Sequence, residues 1–171
     1  KRNLNALYFN KLMSDKSIVL LFASSRKHGN TKKILEHINQ GLQAKVIDLT
    51  ELNISSFDYN HENAADDFIP TIEEILQYKT IGFISPVYWY SVSAQMRIFI
   101  DRFSDLLTIR KDLGRSLSNL NTFLIANGST DEEIPQSMVD VIKLTSEYMD
   151  MNYQGSAYVK VLGELKFDSD H

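Results

Sequence analysis

The chain has 171 residues, with 18 basic against 22 acidic side chains, 43% apolar residues and no cysteine. That length suits one core-forming domain, and a formal charge of -4 argues against nucleic-acid and anionic-membrane partners, which call for a basic surface. The missing cysteines exclude disulfides, thiolate zinc sites, iron–sulfur clusters and cysteine nucleophiles together.

Lys1 to Leu12 precedes Met13 and its polar lead-in, Ser14-Asp15-Lys16. It reads as an added or flexible N-terminal segment, which leaves residues 13–171 as a single domain. The longest apolar run, Ile18 to Ala23, has six residues. A bilayer span needs ~20, and the run is also short for a signal-peptide core. The expected location is cytoplasmic.

The same run, Ser17 to Ala23, is instead a buried strand, continuous and rich in branched residues. A helix follows from about Thr31, with Ile34, Leu35, Ile38 and Leu42 on one face. Lys45 to Leu49 forms the second strand, and residues 50–70 read as a long polar loop of the kind that binds ligands or moves. A short helix over Thr71 to Gln77 opens at Pro70 with early acids Glu73 and Glu74. The third strand is Thr80 to Ser85. The third helix starts near Ala94 and carries Met96, Ile98, Phe99, Ile100, Phe103, Leu106 and Leu107 as one wide apolar stripe. Thr122 to Ala126 is the fourth strand, Glu132 to Met149 the fourth helix, and Ser156 to Val161 the fifth strand. Alternating strands and helices of this kind predict an α/β three-layer sandwich around a five-stranded parallel sheet.

Ligands of such sheets bind beyond the carboxyl ends of the strands, where the strand order reverses. Three loops there have unusual composition. The first is Ser24-Ser25-Arg26-Lys27-His28-Gly29-Asn30-Thr31, which leads into a helix. A helix N-terminus offers unpaired N–H groups and a positive dipole end. Ser24, Ser25, Asn30 and Thr31 could add donors to phosphate, and Arg26 a two-pronged contact. The plainer alternative is that Asn30 or Thr31 caps the helix.

The second loop, Pro86-Val87-Tyr88-Trp89-Tyr90-Ser91-Val92-Ser93, carries three consecutive aromatics that cannot all enter one core. They suit a flat, partly apolar ligand or a subunit interface. Ser93 fits a helix cap better than a nucleophile, since no partner base is evident. The third loop, Asn127-Gly128-Ser129-Thr130-Asp131, is either a close-approach turn built on Gly128 or an ordinary turn capping the next helix.

A dinucleotide fold needs a G-x-G-x-x-G turn, and the first loop has only Gly29, so Asp48 alone is poor support for one. A Ser/Thr/Asn-rich loop suits a terminal phosphate better. The flavodoxin-type order 2-1-3-4-5 would set the first and third strands' loops side by side. His28, His37, His61 and His171 show no metal spacing, Asp66-Asp67 reads as solvated loop, and Asp101-Arg102 as a structural ion pair or cap.

These segments resemble the NADPH-dependent FMN reductase family, flavodoxin-like oxidoreductases. The family pattern G-S-x-R-x-x-G-N-T is met by Ala23 to Thr31, with Ala23 in place of the first glycine. Its second pattern, S-P-x-Y-W-x-x-x-S-A-x-x-K-x-F-I-D-R, is similar to Ser85 to Arg102. The resemblance covers about Ser17 to Leu162. It implies that Ser24, Arg26, Asn30 and Thr31 hold the FMN phosphate. Pro86, Val87, Tyr88 and Trp89 would line the isoalloxazine and ribityl, and Asn127 and Gly128 would lie near the reactive edge. It further implies a homodimer with flavin near the interface. The region Asn53 to Phe68, where some relatives hold an iron–sulfur cluster, has no cysteine.

The expected activity is hydride transfer from NADPH or NADH to FMN, and then to a small-molecule acceptor: a quinone, flavin, nitro, azo or metal compound. No side chain need act as general acid or metal ligand, because the flavin carries the chemistry. The rival readings are an FMN-binding electron carrier unreactive with nicotinamide, and a cofactor-free interaction module.

Overall fold

In a computed structural model, which describes residues 18–129, 133–165 and 167, five strands form one parallel sheet in the order β2-β1-β3-β4-β5. The segment Lys1 to Leu12 lies outside the described residues, as do Ser17, Thr130, Asp131, Glu132 and His171. The strands are β1 (Ile18–Phe22), β2 (Lys45–Asp48), β3 (Thr80–Pro86), β4 (Asn121–Gly128) and β5 (Asn152–Lys160). The helices are α1 (Asn30–Leu42), α2 (Phe68–Ile75), α3 (Ala94–Asp101), α4 (Asp105–Thr108), α5 (Lys111–Ser116) and α6 (Gln136–Tyr148). None is long and apolar enough to cross a membrane.

Strand β1 shows why the sheet is covered on both sides. Ile18, Leu20 and Phe22 pack with Ile34, Leu35 and Leu42 of α1 on one face. On the other, Val19 and Leu21 pack with Phe68 and Ile72 of α2, Met96 and Phe99 of α3, and Met138 and Ile142 of α6. A strand buried on both faces reads as a continuous apolar run, because successive side chains alternate between the two cores. At Gly82, in the middle of β3, a Cβ would collide with the rings and methyls of Phe123 and Leu20, so this close-packed layer leaves no room for a side chain there.

Three boundaries differ from the sequence-based expectation. Helix α2 starts at Phe68 rather than Thr71, since Asp66 Oδ1 accepts the Phe68 N–H (2.9 Å) and Pro70 is tolerated in the first turn. Helix α6 starts at Gln136, just past Pro135. Strand β5 starts at Asn152, well before Ser156.

The predicted single third helix breaks. A 3-10 turn over Arg102–Ser104 separates α3 from α4, and α5 follows. The break lies where the guanidinium of Arg102 enters the core, fully buried. It donates through Nε to Asp105 Oδ2 (2.7 Å), and through Nη1 to Asp66 Oδ2 (2.5 Å) and the Ser55 carbonyl (3.0 Å). Its Cζ lies over the Phe68 ring, 4.8 Å from the centroid. Asp101 is not its partner and pairs instead with Arg97 (2.8 Å).

The loop over residues 50–67 is therefore not simply solvated. Asp66 anchors it to Arg102, Asp67 Oδ2 accepts the Asn53 N–H (2.7 Å), and His61 Nδ1 lies 2.9 Å from Asp105 Oδ1. Burial alone would push the Asp66 carboxyl up. The Arg102 guanidinium, with the N–H groups of Ser55 and Phe68, outweighs it and holds Asp66 below its ordinary value.

Candidate active site

The carboxyl ends of β1, β3 and β4 open into one cleft of about 820 Å³. Its wall contains all ten residues singled out from the sequence: Ser24, Arg26, Asn30 and Thr31 from the first loop, Pro86, Val87, Tyr88 and Trp89 from the second, and Asn127 and Gly128 from the third. Register explains the meeting. Phe22 pairs with Ile84, and Pro86 pairs with Asn127, so the three strands release their loops at nearly the same height.

At the first loop, α1 begins behind Gly29, and no side chain caps it. The alternative reading, in which Asn30 or Thr31 caps the helix, is therefore not met. The Thr31 hydroxyl group lies on a buried residue at the cleft wall. The Asn30 carboxamide turns to the C-terminal segment, donating to the Gly163 carbonyl (2.8 Å) and accepting the Leu165 N–H (2.9 Å). Ser24 is buried, and its Oγ accepts a long bond from the Arg26 N–H (3.4 Å). The Lys32 N–H already donates to the Gly29 carbonyl (3.0 Å), but an uncapped helix end facing a cleft still offers its earliest N–H groups and positive dipole end to a ligand.

The second loop makes a two-residue turn. Tyr88 and Ser91 exchange both backbone bonds (2.9 and 3.1 Å), while Trp89 and Tyr90 both adopt positive φ, 47° and 62°. Asn-Gly is the usual occupant of such a turn, because side chains at positive φ are strained. Two aromatics occupy it here. The turn throws Trp89 (94% exposed) and Tyr90 (61%) outward at the rim. The Tyr88 hydroxyl lies 2.7 Å from Ser25 Oγ in the first loop. Ser93 does sit at the N-cap position of α3, but its hydroxyl makes no capping bond and is buried without a partner.

In the third loop, Asn127 is buried and its Oδ1 has no hydrogen-bond partner. The Asn127 carbonyl accepts the Val87 N–H (2.8 Å), stitching two loops together. At Gly128 a Cβ would lie 2.7 Å from the Tyr158 hydroxyl, so the glycine makes room for β5 as well as bordering the cleft.

Sequence reasoning missed the fourth contributor, Val161 and Gly163, which follow β5 and complete the wall. The rule that ligands sit beyond the strands' carboxyl ends applies to β5 too, and Gly163 was its available signal. Asp48 is occupied structurally, accepting the Thr50 N–H (2.9 Å) and hydroxyl (2.6 Å). His28 lies on a shallower depression beside the cleft, with Arg26, Lys33 and Glu164.

Residues 17–161 match the NADPH-dependent FMN reductase family. The chain belongs to that family. It is an NAD(P)H-dependent FMN oxidoreductase, with FMN as cofactor and reduced nicotinamide as co-substrate. A Bacillus subtilis protein, YwqN, described as an NAD(P)H-dependent FMN-containing oxidoreductase, is 29% identical over 156 residues. The match covers 86% of this chain and 84% of YwqN. Among solved structures, the Trp repressor binding protein from Bacillus subtilis superposes with a TM-score of 0.67 at 24% identity, covering 84% of this chain and 83% of the other. The NAD(P)H:quinone oxidoreductase from Methanothermobacter marburgensis gives 0.62 at 19% identity, covering 86% and 85%. Both likenesses establish the flavodoxin-like fold that the sequence predicted.

Proposed function

We propose that the cleft seats FMN with its phosphate at the uncapped start of α1 and its ring against the Tyr88–Trp89 turn, and that the reduced protein serves small planar acceptors. The observation that carries this reading is the convergence of all ten residues on one cavity of cofactor size. Hydroxyls of Ser24 and Thr31, the helix N–H groups and the Arg26 guanidinium supply donors for a doubly charged monoester. The buried, unpartnered Asn127 Oδ1 fits the same group, because it is an acceptor left without a donor until a ligand N–H meets it.

When bound, FMN supplies the hydride and electron chemistry. The side chains around it do the positioning. Pro86 and Val87 give an apolar floor, and Tyr88 an aromatic wall braced by Ser25. Trp89 and Tyr90, at the open rim, offer flat faces for an acceptor to stack on. Quinones and flavins, with nitro and azo aromatics, are the acceptors that fit such a rim, while a metal compound gains nothing from it. The same exposed aromatics fit a homodimer in which a second copy covers the rim. Dependence on reduced nicotinamide favours a cytoplasmic location.

The test is a visible spectrum of the protein after incubation with FMN, followed by anaerobic mixing with NADPH or NADH and then with an acceptor panel. Bleaching by nicotinamide and recovery of colour on adding quinone, flavin, nitro or azo compounds is expected. A chain that binds FMN yet is not bleached by either nicotinamide would be an electron carrier instead.

A further inference from the structure

The C-terminal segment crosses the phosphate end of the cleft, and its attachments are unequal. It is anchored where β5 ends, by the Val161 N–H donating to the Gly128 carbonyl (2.8 Å). Gly163 then turns at φ +82° with nothing near its α-carbon face. Beyond that point the chain is held by side chains of α1. Asn30 clips the backbone at two points, the Gly163 carbonyl and the Leu165 N–H. Lys33 Nζ reaches Glu164 Oε1 (2.5 Å) and the Leu165 carbonyl (3.2 Å), and the His37 and Phe167 rings stack at 4.0 Å. Gly163 lines the cleft itself and also the depression beside it.

Building on the FMN reading above, we infer that Asn30 is a positioning residue for cofactor retention, acting through the strap 161–165 rather than through its own contact with phosphate. Its carboxamide oxygen and one amide proton are committed to the strap in a pairing like that of a β-ladder. The strap in turn is the side of the cavity nearest the helix start. A wall fixed at one end and held at the other by a few partly exposed bonds opens locally without unfolding the domain. Such an opening gives FMN its way out. The Lys33–Glu164 pair, with the glutamate 70% exposed, contributes little, so the strap is held by the carboxamide clip together with the Lys33–Leu165 bond and the packing of Leu165.

The experiment measures release of FMN from the full chain by recovery of flavin fluorescence on dilution, in Asn30→Ala, Leu165→Pro and the double variant. Leu165→Pro deletes the one N–H that Asn30 accepts, at a residue that does not itself line the cleft and whose side chain packs on the cluster containing Ile34 and Val161. Each single variant should release FMN roughly ten-fold faster, as expected for loss of one or two hydrogen bonds of ordinary strength. The double variant should be no faster than Asn30→Ala, which by itself removes both clip bonds. Hydrogen exchange of ligand-free Asn30→Ala should show faster exchange at residues 162–165 with β1 and β3 unchanged. Multiplicative effects in the double variant would mean that Asn30 touches phosphate directly. Unchanged release in Leu165→Pro would mean that the strap does not retain the cofactor, and either result overturns the inference. If the unaltered chain binds no FMN, the reading of the cleft fails and takes this inference with it. An unchanged exchange pattern in Asn30→Ala refutes the clip on its own.

Discussion

The hydroxyls of Ser25 and Tyr88 lie 2.7 Å apart. Two loops that leave neighbouring strands, and are 63 residues apart in sequence, thus close on each other at the cleft mouth. This contact holds the Tyr88 ring against the cleft while Trp89 and Tyr90 turn away from it. Its removal by Tyr88→Phe leaves the aromatic wall and loosens its brace. An exposed hydrogen bond is worth about 0.5–1.5 kcal/mol, so FMN affinity should fall roughly two- to ten-fold. Ser25→Ala should match it, and the two changes together should add nothing further in a fluorescence titration.

Arg102 is the largest fully buried side chain among the described residues, and it stands between two carboxylates. Arg102→Met strands both Asp66 and Asp105 away from water. Breaking a buried pair from one side costs about 3–5 kcal/mol. The urea midpoint should drop accordingly, with the loop over residues 50–67 exchanging amide protons faster than the sheet.

Acid should release the same loop. The Asp66 carboxyl sits below its ordinary value in the fold, so in acid the unfolded chain binds more protons at this residue than the folded one. The stabilisation is complete above the unfolded value of about 4 and disappears as pH falls through the folded value. Denaturation followed from pH 7 down to pH 2 should show a steep loss of stability below pH 4. In Asp66→Asn that loss should be shallower, starting from a lower plateau.

The turn at Trp89 and Tyr90 is a place where stability is given up. The double substitution Trp89→Asn with Tyr90→Gly relieves two strained positive-φ positions, each costing on the order of 1 kcal/mol or more, and little packing is lost because both rings are exposed. Thermal denaturation should shift upward by a few degrees. Turnover with aromatic acceptors should fall at the same time. Equal turnover would show that the rim does not bind the acceptor.

What could be read from sequence followed from periodicity. A run such as Ile18 to Phe22, apolar at every position, signals a strand with a core on each side, and four further strand-like runs with helical stretches between them imply the sheet. The strand ends then delivered the cleft, because Ser24, Tyr88 and Asn127 each lie at or just past a strand's end. Local pattern could not reveal the rest. The break after Asp101 depends on Arg102 meeting Asp66, 36 residues away. The fate of Asn30 depends on Gly163 and Leu165, more than 130 positions downstream. An amide or a guanidinium carries the same signal whether it caps, binds ligand or ties two segments together, and only the three-dimensional partner decides.

Whether the start of α1 grips a phosphate ester is tested most directly by isothermal titration of the chain with FMN and with riboflavin, repeated in Arg26→Ala and Thr31→Ala. Charge-assisted hydrogen bonds contribute about 1.5–3 kcal/mol each, so FMN should bind far more tightly than riboflavin, and each substitution should narrow that gap roughly ten-fold while leaving riboflavin affinity unchanged. Equal affinity of the unaltered chain for FMN and riboflavin would contradict the account.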